Sequence, residues 1–313
     1  MKIVVMEPLD ISAAFLESLR AEKLPQDADF VAYDKRADSD EELILRGRDA
    51  DVIVIANQKI SDAVVEGWEK LKLLSIAFTG TDHVNVKLCK DKGVVVCNSA
   101  GYSTEAVADI VFGMAIDLCR NIIPCDRVVR QGGTKAGLVG CELAGKKFGI
   151  VGTGAIGSRV ARIASAFGCE VYAYSRTAKS DLDAKYVSLD ELLSVCDIVS
   201  LHVPVTEQTR GLISREKLAL MKRTAFLINT ARGPVVDTQA LADALRAGTI
   251  AGAGVDVFDV EPPIPSTNPL MDAPHTVLTP HIAFASDEAF IKRAKIVFEN
   301  ISKWLAGAPQ NLV

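Results

Sequence analysis

The sequence predicts an α/β protein built from two doubly wound parallel sheets. Three observations lead there. Short apolar runs rich in β-branched residues alternate with helical stretches through the first hundred residues, and again after a glycine-rich connection. Repeated βα units of this kind form parallel sheets with helices on both faces. A turn, Gly152-Thr153-Gly154-Ala155-Ile156-Gly157, stands between a strand-like and a helix-like run. Finally, the closing amphipathic stretch SDEAFIKRAKIVFENISKWLAG has no strand after it, so it is expected to cross back onto the first sheet.

The elements follow in order. KIVVM, DFVAY, DVIVIA, LLSIAF and VVVCN read as buried strands, separated by helices in ISAAFLESLRAEK, SDEELILRGRD and SDAVVEGWEKL. STEAVADIVFGMAIDLCRN reads as a long helix capped by Ser103 and apolar on most sides, hence buried between domains or against a partner subunit. RQGGTKAGLVGCELAGK reads as a connecting loop. The second series then runs KKFGIVG (strand), AIGSRVARIASAFG (helix), EVYAYS (strand), SLDELLSVC (helix), DIVSLHV (strand), REKLALMK (helix), TAFLINT (strand), TQALADALRAG (helix) and AGAGVDVF (strand). EPPIPSTNP is too proline-rich for helix or central strand, and TVLTPHIA precedes the last helix. The resulting division is a discontinuous domain, residues 1–98 plus 284–313, flanking a continuous one, residues 99–283.

Composition narrows the function. The chain has 313 residues, 49% hydrophobic and 24% charged, with a net charge of −5. That charge argues against nucleic acid as a partner, since phosphate binding needs surplus Lys and Arg. No apolar run approaches the ~18 residues of a membrane span, and MKIVVMEPLD reads as a first strand, not a signal peptide. Seven cysteines at irregular spacing, with no C-x-x-C pair, read as free thiols of a cytoplasmic protein and not as metal ligands. Only His83, His202, His275 and His281 can supply a catalytic imidazole.

The glycine turn lies where a dinucleotide pyrophosphate is held. Gly152 permits the tight turn, Gly154 lets backbone approach the phosphates, and Gly157 lets the helix pack on the strand. Ala155 and Ile156 then present N–H groups at the positive helix end. At the end of the next strand the usual ribose-binding acid is replaced by Tyr174-Ser175-Arg176-Thr177. Ser175 removes the repulsion of a 2′-phosphate and Arg176 offers it a cation, which favours NADP slightly over NAD and leaves both open.

Three later stretches carry polar groups at strand ends: INTARGPVVD with Arg232, GVDVFDVEPP with Asp256 and Glu261, and TPHIAF with His281. Carboxyl ends of strands line the ligand crevice of a doubly wound sheet. Arg232 can grip a carboxylate bidentately, His281 can exchange a proton with a carbonyl oxygen, and Glu261 can orient the imidazole. His202 and His83 are the rival bases, and His275 lies in a proline-rich surface loop.

With FTGTDHVNV, GYSTEAVAD, GIVGTGAIG, INTARGPVVD, GVDVFDVEPP and LTPHIA in this order, the chain resembles the D-isomer-specific 2-hydroxyacid dehydrogenases along essentially its whole length. Within that family it resembles a glyoxylate/hydroxypyruvate reductase-like member. The resemblance implies a flavodoxin-like substrate domain and a Rossmann dinucleotide domain. It implies a catalytic trio of Arg232, Glu261 and His281, and Asp256 near the nicotinamide carboxamide. Backbone around Gly80 would bind the substrate carboxylate. His202-Val203-Pro204 would lie near the adenine, with Thr104 and Thr230 along the rest of the cofactor. Family members are typically homodimers held through the long helix and its following loop.

The substrate is then a small 2-oxo or 2-hydroxy acid. The loop after DVIVIA reads Asn57-Gln58-Lys59, with Asn57 taken as a substrate-side residue. This loop lacks the arginine typical of phosphoglycerate dehydrogenases, and Glu261 departs from the formate dehydrogenase pattern. Glyoxylate, hydroxypyruvate, pyruvate and longer 2-oxo acids stay open. The competing reading is a dinucleotide-sensing scaffold like the corepressors built on this fold, although this chain has no added interaction segment.

Overall fold

Apolar β-branched runs of four or five residues are too short to pay for helix nucleation and long enough to fill a buried strand. In the computed structural model, which describes residues 1–313, they form two separate parallel sheets. The chain divides into one unit of Met1–Ser103 with Ala285–Val313 and a second of Thr104–Phe284.

The first unit runs β1 (Lys2–Val5), α1 (Ala13–Lys23), β2 (Asp29–Ala32), α2 (Asp40–Gly47), β3 (Val52–Ile55), α3 (Asp62–Gly67), β4 (Leu73–Ile76), α4 (Val86–Asp91) and β5 (Val95–Cys97). The strands are parallel in the order β2-β1-β3-β4-β5, the flavodoxin-like arrangement. Every residue of β3 and β4 is buried. Serine hydroxyls at Ser12, Ser39 and Ser61 accept the N–H three residues on and so start α1, α2 and α3. Helix α3 stops before the expected EKL. Trp68 turns into the core there and donates its indole N–H to Leu43 O at 3.0 Å.

The C-terminal helix (Asp287–Leu305) returns to this unit and packs on α1 and β4. Its Arg293 is buried and donates to Leu9 O at 2.8 Å and to Asp10 Oδ2 at 3.0 Å. The last residues then run along the open edge of β5, with Val313 N–H on Val96 O, which removes an unpaired edge. Residues 99–103 stay with this unit, five residues past the sequence boundary. Ser99 bonds Phe78 O and Ile76 O, and the buried Tyr102 meets the Phe78 ring edge-on.

The second unit runs α5 (Thr104–Arg120), α6 (Ile122–Arg130), β6 (Lys147–Val151), α7 (Ala155–Ala166), β7 (Glu170–Tyr174), β8 (Lys185–Tyr186), α8 (Leu189–Val195), β9 (Ile198–Leu201), α9 (Arg215–Leu220), β10 (Phe226–Asn229), α10 (Thr238–Arg246), β11 (Gly252–Val255) and β12 (Thr276–Leu278). All seven strands are parallel, in the order β12-β11-β10-β9-β6-β7-β8. This is the Rossmann order with one strand added, and its switch point lies between β6 and β9.

Helix α5 corrects one expectation. Its apolar faces are taken up inside its own unit, on α7 and on β10, β11 and β12. Gly254 and Gly252 make room for it, because a Cβ on either would press on Met114 or Leu118. Asn121 adopts φ 54° and breaks the chain direction into α6, a helix the sequence did not announce. No residue of α6 is buried. No helix is long and apolar enough to cross a membrane.

Candidate active site

The glycine turn connects β6 to α7, and each glycine has its own steric reason. Gly152 has φ +97°, and a Cβ there would lie 2.5 Å from His202 O. At Gly157 a Cβ would fall 1.9 Å from Gly152 O. Gly154, by contrast, caps α7 with nothing within 4 Å of where a Cβ would stand. The tight positions make the turn and the open one leaves room above it. The backbone N–H groups of Ala155, Ile156 and Gly157 begin the helix there, at its positive end.

Side chains the sequence did not single out brace this turn. Ser158 Oγ donates to Thr153 O at 3.0 Å, and Lys179 Nζ donates to Ser158 Oγ at 3.1 Å. Tyr186, on the two-residue strand β8, accepts the Lys179 N–H at 3.0 Å and donates to Thr153 Oγ1 at 3.4 Å. Ser175 is half-buried directly after β7, and Arg176 is exposed beside it. On the other side of the switch point, His202 N–H donates to Val151 O, and its Nε2 lies 2.9 Å from Ser200 Oγ. The ring keeps some surface, yet desolvation by burial pushes its pKa down to about 3. His202 is therefore neutral near pH 7 and a poor proton donor. Pro204 is exposed just beyond it.

Strands β10, β11 and β12 are neighbours, and their ends carry the three late stretches. Asn229 ends β10 and shapes the turn after it. Its amide donates to Arg232 O at 3.0 Å and its Oδ1 accepts the Ala231 N–H at 3.1 Å. A polar residue closing the apolar run LIN was the available signal for this role. Arg232 is half-buried, with Nη1 donating to Ala231 O at 2.7 Å. Gly233 lies so close to the next strand's extension that a Cβ would meet Phe258 C at 2.2 Å. Thr230 Oγ1 is buried there without a hydrogen-bond partner, an acceptor and donor ready for a ligand group.

Glu261 and His281 meet directly. Glu261 Oε1 is 2.6 Å from His281 Nδ1, while Oε2 accepts the Phe258 N–H at 3.1 Å. The carboxylate is thus fixed by its own loop before it fixes the ring. Phe284 stands edge-on to the imidazole at 5.6 Å. With Nδ1 held by a carboxylate, Nε2 is the nitrogen left to face a substrate.

Asp256 is the anchor beneath this pair. Fully buried at the end of β11, it accepts from Thr279 Oγ1 at 2.6 Å, from Ile282 N at 2.8 Å and from Ala283 N at 3.0 Å. Its backbone O accepts the His281 N–H at 2.7 Å, and His281 holds φ 52°, a strained value for this residue type. The Asp256 carboxylate, read from sequence as a cofactor residue, spends its hydrogen bonds on the histidine turn.

The residues that the sequence suggests for the substrate, Asn57 and Gly80, belong to the first unit. Asn57 is exposed after β3, and Gly80 is half-buried after β4. Ile60 N–H donates to His83 O at 2.8 Å and ties the two loops together. Thr104 opens α5 in the second unit. His275 is exposed, at φ 53°.

Residues 112–283 match the family model described as "D-isomer specific 2-hydroxyacid dehydrogenase, NAD binding domain". The chain belongs to that family. This dehydrogenase is 40% identical to the glyoxylate reductase of Korarchaeum cryptofilum, over 90% of its own length and 87% of that protein's. It is 33% identical to the hydroxypyruvate reductase of Blautia hydrogenotrophica, over 100% and 99% of the two chains. Among solved structures it is similar to an acyclic imino acid reductase in complex with NADPH and D-Arg, with TM-score 0.92, 31% identity and both chains fully covered. The dehydrogenase is thus an oxidoreductase that works with a nicotinamide cofactor, and the scaffold reading finds no support among these relatives.

The site fits that cofactor on its own evidence: an open space over Gly154, an orphaned hydroxyl on Thr230, and glycines where a side chain would close the turn.

Proposed function

We propose that this dehydrogenase interconverts small 2-oxo acids and D-2-hydroxy acids, with His281 as proton donor and acceptor, Glu261 orienting it and Arg232 binding the substrate carboxylate. The 2.6 Å contact between Glu261 and His281 carries this reading. A carboxylate on Nδ1 stabilises the imidazolium and selects the tautomer, so that Nε2–H donates to the carbonyl oxygen and recovers the proton in reverse. The nicotinamide, when bound, gives or takes the hydride at carbon 2. Gly152, Gly154, Ala155, Ile156 and Gly157 would hold its pyrophosphate, with Thr104, His202, Pro204 and Thr230 along the remainder. Arg232 pairs two N–H groups with the acid's carboxylate and so fixes the carbonyl in one orientation. Gly80 and Asn57 are proposed to serve the substrate from the first unit. The test is NADH and NADPH oxidation with a panel of 2-oxo acids including glyoxylate and hydroxypyruvate. Clear nucleotide binding with no turnover of any panel member refutes the reading.

NADP is the cofactor favoured by the ribose end. Ser175 offers no repulsion to a 2′-phosphate, and Arg176 and Lys179 bring two cations to that loop. The Ser175→Asp variant is expected to lower affinity for NADPH on the order of tenfold and to raise the NADH-to-NADPH preference. Fluorescence titration with each nucleotide reads this directly, and an unchanged ratio assigns the 2′ position elsewhere.

Pairing as a homodimer is supported by α6 and the loop behind it. Ile122, Ile123, Val129 and Val139 are exposed, beside a cavity of about 1130 Å³ lined in part by Ile123, Val139 and Val277. Apolar groups spaced along one helix and its loop suit a subunit contact. Light scattering on Ile123→Asp should report half the parent's mass. A parent that is already monomeric, or a variant of unchanged mass, removes the proposal.

A further inference from the structure

At the amino ends of the strands of the second sheet, opposite the glycine turn, residues 121–140 form an excursion between α5 and the approach to β6. Asn121 turns the chain at φ 54°, and α6 buries no residue. The stretch after α6 is glycine-rich, with Gly132 at φ 72° and Gly137 at φ 77°. With so little packing, the excursion depends on hydrogen bonds at its base. Ile123 N–H donates to Asp117 Oδ1 at 2.7 Å, and Asn121 Nδ2 donates to Leu138 O at 3.2 Å. Cys141 N–H donates to Cys119 O at 2.8 Å.

The last of these bonds closes the excursion on two cysteines. Gly140 permits the approach, because a Cβ there would lie 1.9 Å from Cys119 O and 3.0 Å from Arg120 Cα. A direct backbone hydrogen bond sets two Cα atoms roughly 5–6 Å apart. That falls within the span of roughly 4.4–6.8 Å that a disulfide bridges. The side chains face each other as well, since the Cys119 and Cys141 thiols are hydrogen-bonded. Cys119 is buried in the last turn of α5 and Cys141 is half-buried, and both are free thiols that line the cavity beside α6. A helix and a glycine-rich loop separate them in sequence, so no C-x-x-C spacing announces the pair.

We propose that Cys119 and Cys141 are a redox site, joining in a reversible disulfide that staples the α6 excursion to the rest of the second unit. The bond closes a loop around residues 120–140 and acts by removing conformations from a segment that packing holds loosely. The oxidant is a low-molecular-weight disulfide such as glutathione disulfide. Cys141, the more accessible sulfur, attacks it as the thiolate. The S–S bond of the oxidant breaks, a mixed disulfide forms on Cys141, and one glutathione leaves with the proton that Cys141 gave up. Cys119 Sγ then attacks Cys141 Sγ, and the second glutathione leaves with the Cys119 proton. Two protein thiols are oxidised and one glutathione disulfide is reduced to two thiols. The order of attack follows from the surroundings of Cys119. Burial first, and the neighbouring Cys141 second, push its thiol up to about 12, which makes it a poor initiator. The same property makes Cys119 a poor leaving group, so the bond is released slowly once made.

The experiment incubates the whole protein with glutathione disulfide, alkylates the remaining thiols, and maps tryptic peptides by mass spectrometry. The expected product joins peptide 93–120 to peptide 136–146 with the loss of two hydrogens, and dithiothreitol separates them. Fragmentation should place the link on Cys119 and not on Cys97 of the same peptide. Cys141→Ser, at a half-buried position, should abolish the link, while Cys125→Ser on α6 should keep it. Limited trypsin digestion of the folded protein gives a second readout at the exposed Arg127, Arg130 and Lys135. Oxidised wild type should be cut there more slowly than reduced wild type, on the order of tenfold, and Cys141→Ser should be cut equally fast in both conditions. Absence of the linked peptide, a Cys141 that stops as the glutathione adduct, a link from Cys141 to Cys125, or a link that leaves the cleavage rate unchanged overturns the proposal.

Discussion

Replacing His281 with alanine is expected to lower kcat by roughly 10²- to 10⁴-fold while the affinity for nicotinamide dinucleotide changes little. The two halves of this expectation come from different parts of the second unit. The dinucleotide turn is made by Gly152, Gly154 and Gly157 between β6 and α7, whose geometry owes nothing to residue 281. The imidazole, in contrast, is the group that Glu261 reaches at 2.6 Å. Removing it leaves the Glu261 carboxylate with the Phe258 N–H as its remaining fixed partner. Steady-state kinetics with each 2-oxo acid and fluorescence titration with NADPH separate the outcomes. Loss of nucleotide binding together with turnover would mean that the ring supports the fold and not the proton transfer. Glu261→Gln should fall between wild type and the alanine variant. A neutral amide still bonds Nδ1 but no longer favours the charged ring.

How much of this was legible in the sequence depends on how local the signal was. The buried strands were plain, because Val and Ile runs such as VIVI and KIVV declare both burial and extension within four residues. The glycine turn was equally plain, since the steric conflict at Gly152 and Gly157 lies within the motif or against the neighbouring strand's end. Helix α6 was hidden by Pro124, which reads as a breaker. It falls in the first turn, where the missing N–H would have had no helical partner anyway. Strand β8 was hidden by being two residues long, and its purpose, the placement of Tyr186 over Thr153, is visible only in three dimensions. The long helix α5, apolar on several sides, reads as buried between domains or against a partner subunit. The glycines of β11 that let it sink into its own sheet lie more than a hundred residues later.

The same limit governed the site. Arg232, Glu261 and His281 could be named because each closes a recognisable strand-end stretch. The pair of Cys119 and Cys141, away from the site, could not, since a helix and a glycine-rich loop separate them and no spacing records it. Asp256 illustrates a different limit. Its position at a strand end suggests a ligand, yet in the fold its oxygens already have three protein donors.

That commitment leads to the second large effect. Asp256→Ala is expected to destabilise the protein by about 3–5 kcal/mol, as breaking a buried hydrogen-bond network does, and to lower kcat in the fraction that remains folded. The stability loss follows from burial. Asp256 is fully buried, and truncation would strand the buried N–H of Ala283 and leave the half-buried Thr279 hydroxyl and the Ile282 N–H without their protein acceptor. The kinetic loss follows from strain. His281 holds φ 52°, and a residue of that type persists in the left-handed region only when its surroundings over-determine it. Those surroundings are Asp256, through its side chain on both following residues and its backbone O on His281 itself. Without the carboxylate the turn can relax and carry the imidazole off Glu261. Asp256→Asn keeps the shape and one acceptor but sets an amide N–H₂ against at least one of the three donors, so it should lie between. Urea unfolding measures the first effect, and kcat corrected for folded fraction, with glyoxylate as substrate, measures the second. A variant that loses stability yet keeps its corrected kcat would make Asp256 a core residue alone. A parallel fall in kcat, with KM for the oxo acid nearly constant, identifies it as the residue that positions His281.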